Sequence, residues 1–153
     1  MIFESHKIAY QNVVSKYYKF SPEDIDEAIQ DFHQILDEQG YHVSGSIFYS
    51  LISEPTEEIM VAEIFLPIEE NTFTNQTKEE MFFRSYFTIQ PMIMTRVFDE
   101  FDEQSQVKYW DLIHYINRHG LEQRTPVFFE FKTNNNGKHY LEMSVGIKRE
   151  LIF

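Results

Sequence analysis

Three glutamates lie where an acid is costly, inside apolar runs that alternate like strands. Glu63 interrupts "VAEIFLPIE", Glu142 interrupts "YLEMSVGIK", and Glu130 lies in "PVFFEFK". Alternation assigns faces along a strand. In the last run Leu141, Met143, Val145 and Ile147 share one face, and Tyr140, Glu142, Ser144 and Gly146 share the other. The same count sets Ala62, Ile64, Leu66 and Ile68 against Val61, Glu63, Phe65 and Pro67. It also sets Val127, Phe129 and Phe131 against Phe128, Glu130 and Lys132. The acids therefore share a face with large rings: Phe48, Phe65, Phe128 and Tyr140. A solvated sheet face carries few such rings. Carboxylates among aromatics suit a flat organic cation, the rings giving cation–π attraction and the acid the counter-charge. The structural alternative is a strand glutamate that reaches solvent or pairs across the ladder with Lys132 or Lys148. A catalytic reading would use Glu142 as general acid or base with Tyr140 as partner.

Other chemistry fits less well. The six histidines, His6, His33, His42, His114, His119 and His139, are scattered. On a helix, His114 and His119 would point about 140° apart, so no metal pair forms there. The chain has no cysteine, which removes disulfides, thiolate zinc sites and cysteine nucleophiles. Ser44 and Ser46 flank Gly45 without the strand-elbow-helix context of a serine nucleophile. The five glycines are too dispersed for a phosphate loop. No metal or cofactor is expected.

Two helices must support these strands. "SPEDIDEAIQDFHQILDEQG" offers Ser21 as N-cap, Pro22 at the first helical position and acids in the first turn. Ile25, Ala28, Ile29, Phe32, Ile35 and Leu36 form one stripe, and Gly40 ends it. "DEQSQVKYWDLIHYINRHG" repeats the plan with Asp102 or Ser105 as cap, Tyr109, Leu112, Ile113 and Ile116 on the stripe, and Gly120 as terminator. A strand-like run precedes each helix, "KIAYQNVVSKYYKF" and "YFTIQPMIMTRVF", and two follow it, the second pair joined by "NNNG", whose residues tolerate positive φ. The order is β-α-β-β twice: a first half over about 5–69, a polar linker over about 70–80 and a second half over about 81–149. The expected fold is one α+β domain in which duplicated units form a curved antiparallel sheet with both helices on one face.

The 153 residues carry a net charge of −12, with 42% hydrophobic and 16% aromatic residues. Such a chain can bury a core, and its charge repels phosphate backbones and anionic membranes, so neither nucleic acid nor membrane is an expected partner. There is no signal-peptide pattern and no long apolar run, which reads as a cytoplasmic protein. Phe3, Phe153 and "RELIF" leave apolar tails that, with exposed aromatics, would suit a protein partner.

The closing strands "VAEIFLPIE" and "YLEMSVGIK", the helix "YWDLIHYINRHG" and the repeated element order resemble the GyrI-like (gyrase-inhibitor-like) effector-binding superfamily over about residues 5–149. Gly146 stands where that pattern has proline, and "RVFDEFDE" replaces its usual Gly-Pro step. The resemblance implies a groove for small hydrophobic, often cationic, molecules, with Glu142 as the buried acid, Glu63 as its first-half counterpart, and Tyr140, Phe128 and Trp110 among the groove aromatics. The chain is also similar to a Gram-positive family found near type VII secretion toxin loci, which implies an accessory or immunity role. Relatives in the superfamily include regulatory domains, free-standing binding proteins and hydrolases. The expectation is a standalone non-catalytic module whose ligand contacts come from Glu142, Glu63, Glu130, Tyr140, Phe128, Phe48, Phe65 and Trp110. A protein-interaction role and a hydrolase using Glu142 are the alternatives.

Overall fold

The structure, a computed structural model, describes residues 1–149; the apolar C-terminal tail named above lies outside them. The chain runs β1 (Phe3–Phe20), a 3-10 turn (Pro22–Asp24), α1 (Ile25–Glu38), β2 (Phe48–Leu51), β3 (Met60–Pro67), β4 (Phe82–Val97), α2 (Phe101–Arg118), β5 (Leu121–Thr133) and β6 (His139–Arg149). This is the α+β fold expected, with two helices, antiparallel strands and the β-α-β-β order occurring twice. Two compact units divide it, one of Ala9–Thr88 and one of Met1–Ile8 with the chain from Ile89 onward. The division falls within β1 and within β4, so each of these long strands contributes to both units.

In the Ala9–Thr88 unit, β3 is central, with β1 on one side and β2 on the other. Ala62, Ile64 and Leu66 are fully buried, as are Phe32 and Leu36 of α1. Tyr18 packs its ring 6.2 Å from Phe32 and donates its hydroxyl to Asp31, which sets α1 against the face of β1 that carries Tyr18. The face assignments read from alternation in β3 hold. The start of α1 differs from expectation. Ser21 and Pro22 open a 3-10 turn, and neither Ser21 nor Asp24 makes a side-chain cap. Proline at the first position suits the tighter turn equally well.

In the other unit, β6 is central between β4 and β5, and α2 packs on β5 and β6, burying Leu112 and Ile116. Its N-cap is Glu100, in the left-handed region at φ 46°, so Asp102 and Ser105 lie inside the helix instead of capping it. The β5–β6 register shifts between Gln123 and Val127, around Pro126, which has no N–H for the ladder. There the Thr125 hydroxyl accepts the Gly146 N–H at 2.8 Å. A Cβ at Gly146 would fall 2.8 Å from Thr125 Cγ2 and 3.0 Å from Ile89 Cγ2. Glycine suits this position because it needs both an N–H and an empty Cβ site.

Candidate functional site

All three strand glutamates are buried: Glu63 is 7% exposed, Glu130 2% and Glu142 6%. They do not reach solvent as strand acids commonly do, so each needs compensating charge or hydrogen bonds. The structure supplies these within the chain.

In the Ala9–Thr88 unit, Glu63 pairs across the ladder with Tyr17 of β1 and Ser50 of β2. Ser15, itself fully buried, donates its hydroxyl to Glu63 Oε2 at 2.7 Å. Arg84 of β4 places Nη1 3.1 Å from Ser15 Oγ and 3.4 Å from the same carboxylate oxygen. The Arg84 guanidinium lies 5.8 Å from the Phe65 ring centre and 5.7 Å from that of Phe87. Phe65 stacks on Phe48 at 4.7 Å, and Phe48 on Tyr10 at 4.6 Å. Burial first, and then the neighbouring Glu63 carboxylate, push the Tyr17 hydroxyl above the usual tyrosine range.

In the other unit, Glu130 and Glu142 stand directly opposite one another on β5 and β6, and Arg96 of β4 is opposite Glu142 on its other side. Like charges so placed repel, and an arginine, a lysine and an imidazole face them. Arg96 Nε donates to Glu142 Oε2 at 2.9 Å. Lys132 Nζ lies 3.4 Å from Glu130 Oε2 and 4.0 Å from Glu142 Oε1. His6 Nε2 is 3.1 Å from Glu130 Oε1. Arg96 also lies 5.0 Å from the Phe3 ring centre. In both units, then, a closing-strand carboxylate holds an arginine of β4 that rests near an aromatic ring.

Sequence reasoning placed Glu63, Phe48 and Phe65 together, and the structure brings them into one cluster. It brings Glu142, Glu130 and Lys132 together in the other unit, where Phe128 is buried opposite Ser144. Tyr140 pairs with Lys132 across the ladder, and its ring packs 5.6 Å from Phe98. Trp110 does not join them. It is 36% exposed on α2 and packs edge-on against Tyr109; a helix that covers the other face of β5 and β6 cannot deliver it. The structural alternative of a Lys132 pairing is partly realised, alongside the arginine that the sequence did not reveal.

His6, Ser15, Arg84, Phe87 and Arg96 were missed. For His6 and Ser15 the reason lies in β1. Ser5 and Asn12 have left-handed φ values of 67° and 56°, and each shifts the alternation by one. Tyr10 before Asn12 and Ser15 after it therefore reach the same cluster, although their parities differ. Asn tolerates this conformation, the one hint the sequence carried.

The fold occurs in proteins of known structure. The C-terminal domain of EcmrR matches with a TM-score of 0.70 and 11% identity over 98% of both chains. EcmrR in its DNA complex within EcmrR-RPo matches at 0.73 and 11% identity, over 98% of this chain and 58% of that one. A hydrolase from Listeria innocua matches at 0.56 and 10% identity, over 97% and 90%. The EcmrR domain has the GyrI-like effector-binding fold, which is the fold the sequence resemblance implied. No curated protein matches the chain. At the level of sequence, a family model described as a domain of unknown function, DUF5085, matches residues 9–149, and the chain belongs to that family.

Proposed function

We propose that this chain is a non-catalytic binding module for small hydrophobic molecules that carry positive charge, with Glu142 and Glu63 as counter-charges. The observation that carries this reading is the internal occupant of each acid. Arg84 rests on Glu63, Phe65 and Phe87, and Arg96 on Glu142 and Phe3. Both arginines thus make the contacts that a cationic aromatic-caged ligand would make. Their side chains are 40% and 37% exposed, so each can rotate into water while its acid stays in place. A ligand cation that takes the place of the arginine keeps the buried acid paired throughout, and the exposed arginine is resolvated by water. A ligand cation held against desolvated rings regains about 2 kcal/mol, with apolar burial in addition. The EcmrR likeness supports a binding fold, and the net charge of −12 supports a cationic ligand over nucleic acid. No described helix is long and apolar enough to cross a membrane.

The test is thermal denaturation with tetraphenylphosphonium and its neutral analogue triphenylphosphine oxide, on wild type, Glu63→Gln and Glu142→Gln. A ligand at about 100 times its Kd adds about 2.7 kcal/mol. For a protein of this length that is a rise of about 5–11 °C. The reading expects this rise with the cation alone and its loss in at least one variant. No shift in any protein would move the function to a second reading, a basic protein partner in an accessory role. In favour of that role, Tyr17 and Phe82 lie edge to face at 6.1 Å, and they are 49% and 37% exposed.

A further inference from the structure

We propose that His6, Glu130 and Glu142 form a site for a divalent transition-metal cation of the Zn2+ or Mn2+ class, with Lys132 as its internal competitor. This inference goes beyond the small-molecule reading and does not depend on it. The three residues come from β1, β5 and β6, and an imidazole nitrogen and one oxygen of each carboxylate lie within 4.8 Å of one another. The two acids are buried and His6 is largely so, with a side chain 16% exposed. An imidazole with two carboxylates suits Zn2+, Mn2+ or Fe2+, whereas Ca2+ and Mg2+ prefer oxygen alone. Zn–N and Zn–O bonds near 2.1 Å place tetrahedral ligands about 3.4 Å apart. Metal binding therefore requires the glutamate side chains to rotate inward from the 4.8 Å spread.

Two further features point to a cation there. Glu130 and Glu142 face each other directly across the ladder, so their repulsion is relieved best by a charge between them. Lys132 Nζ occupies that position, 3.4 Å from one acid and 4.0 Å from the other. Arg96 engages Oε2 of Glu142, which leaves Oε1 turned to Lys132. The Lys132 side chain is 28% exposed and can withdraw along its flexible stem. Two carboxylates then match a divalent charge. Second, the Ser144 hydroxyl is fully buried and has no hydrogen-bond partner among the described residues. It lies on the Glu142 face of β6, two residues on, where a metal-bound water would be a partner of the right kind. The exposed group His42, Glu69 and Glu70 also has metal-ligand geometry, but it lacks any such feature and serves as the control.

The test is calorimetric titration of EDTA-treated full chain with ZnCl2 and with MnCl2. Wild type, His6→Ala, Glu130→Gln, Lys132→Met and His42→Ala are compared, with folding checked by circular dichroism. The proposal expects one site per chain for at least one metal. Affinity should weaken at least about tenfold in His6→Ala and strengthen in Lys132→Met, because the competing ammonium is gone. His42→Ala should match wild type. If Glu130→Gln fails to fold, the opposed effects of His6→Ala and Lys132→Met still decide. The proposal is overturned if neither wild type nor Lys132→Met binds metal. It is equally overturned if binding survives His6→Ala but is lost in His42→Ala.

Discussion

Ser15 and Ser144 are both fully buried strand serines on the carboxylate-bearing face, yet their replacement by alanine should have opposite consequences. Ser15 donates to the buried Glu63 carboxylate at 2.7 Å and contacts Arg84 at 3.1 Å. Ser15→Ala removes the short bond and leaves Glu63 with Tyr17 and with Arg84 at a long 3.4 Å. A hydrogen bond to a charged group contributes about 1.5–3 kcal/mol, so the loss should be about 2 kcal/mol. That corresponds to a fall in Tm of about 4–8 °C for a chain of this size. Ser144 has no partner among the described residues. Burying its hydroxyl carries the desolvation cost without the return, and Ser144→Ala should therefore be neutral or stabilising by about 1 kcal/mol. Urea denaturation in EDTA, followed by circular dichroism, measures both. A loss below about 0.5 kcal/mol for Ser15→Ala, or one near 2 kcal/mol for Ser144→Ala, would refute this account of the buried polar groups, since the expected bond is a charged one.

Gly146→Ala should cost about 1–3 kcal/mol in the same assay, because the added methyl meets Thr125 at 2.8 Å. Phe32→Ala, in the fully buried α1 core, should cost about 3–5 kcal/mol. Arg96→Met removes the nearer of the two cations beside Glu142 and should tighten tetraphenylphosphonium binding, read by calorimetry; weaker binding would show that Arg96 supports the site instead of occupying it. His42 is held above its ordinary value of 6.5, chiefly by its ring hydrogen bond to Glu70. Glu70 is held below 4.5, chiefly by the His42 backbone N–H. The raised histidine contributes fully below pH 6.5 and loses its contribution as pH rises through its folded value. The depressed glutamate contributes above pH 4.5 and loses its contribution as pH falls. The pair is thus strongest between those values, and an NMR titration of Glu70→Gln should show the His42 pKa falling.

The regular strands were the legible part of this chain. Along β3 and β6 nothing disturbs the alternation, so the faces of Glu63 and Glu142 could be counted from residue types alone. The shared face of Phe48 and Phe65 followed from the same count. In β1 two left-handed residues reset the count, which hid His6 and Ser15. Arg84 and Arg96 were hidden for another reason. Arg96 meets Glu142 only because β4 pairs with β6 in one register, and register is a non-local property. The helix starts were misread because a cap signature such as Ser21 or Asp102 competes with tighter turn geometry, which local composition does not resolve. Trp110 was misplaced because a resemblance in element order says nothing about which side of this helix a given residue occupies.

The central claim is that Glu142 and Glu63 act as counter-charges for a hydrophobic cation. Calorimetric titration of tetraphenylphosphonium into wild type and the folded Glu63→Gln/Glu142→Gln double variant tests it most directly. The account predicts saturable binding to wild type that weakens at least about a hundredfold in the variant, equivalent to about 2.7 kcal/mol. Equal affinity for both proteins, or binding of triphenylphosphine oxide as tight as that of the cation, would contradict it.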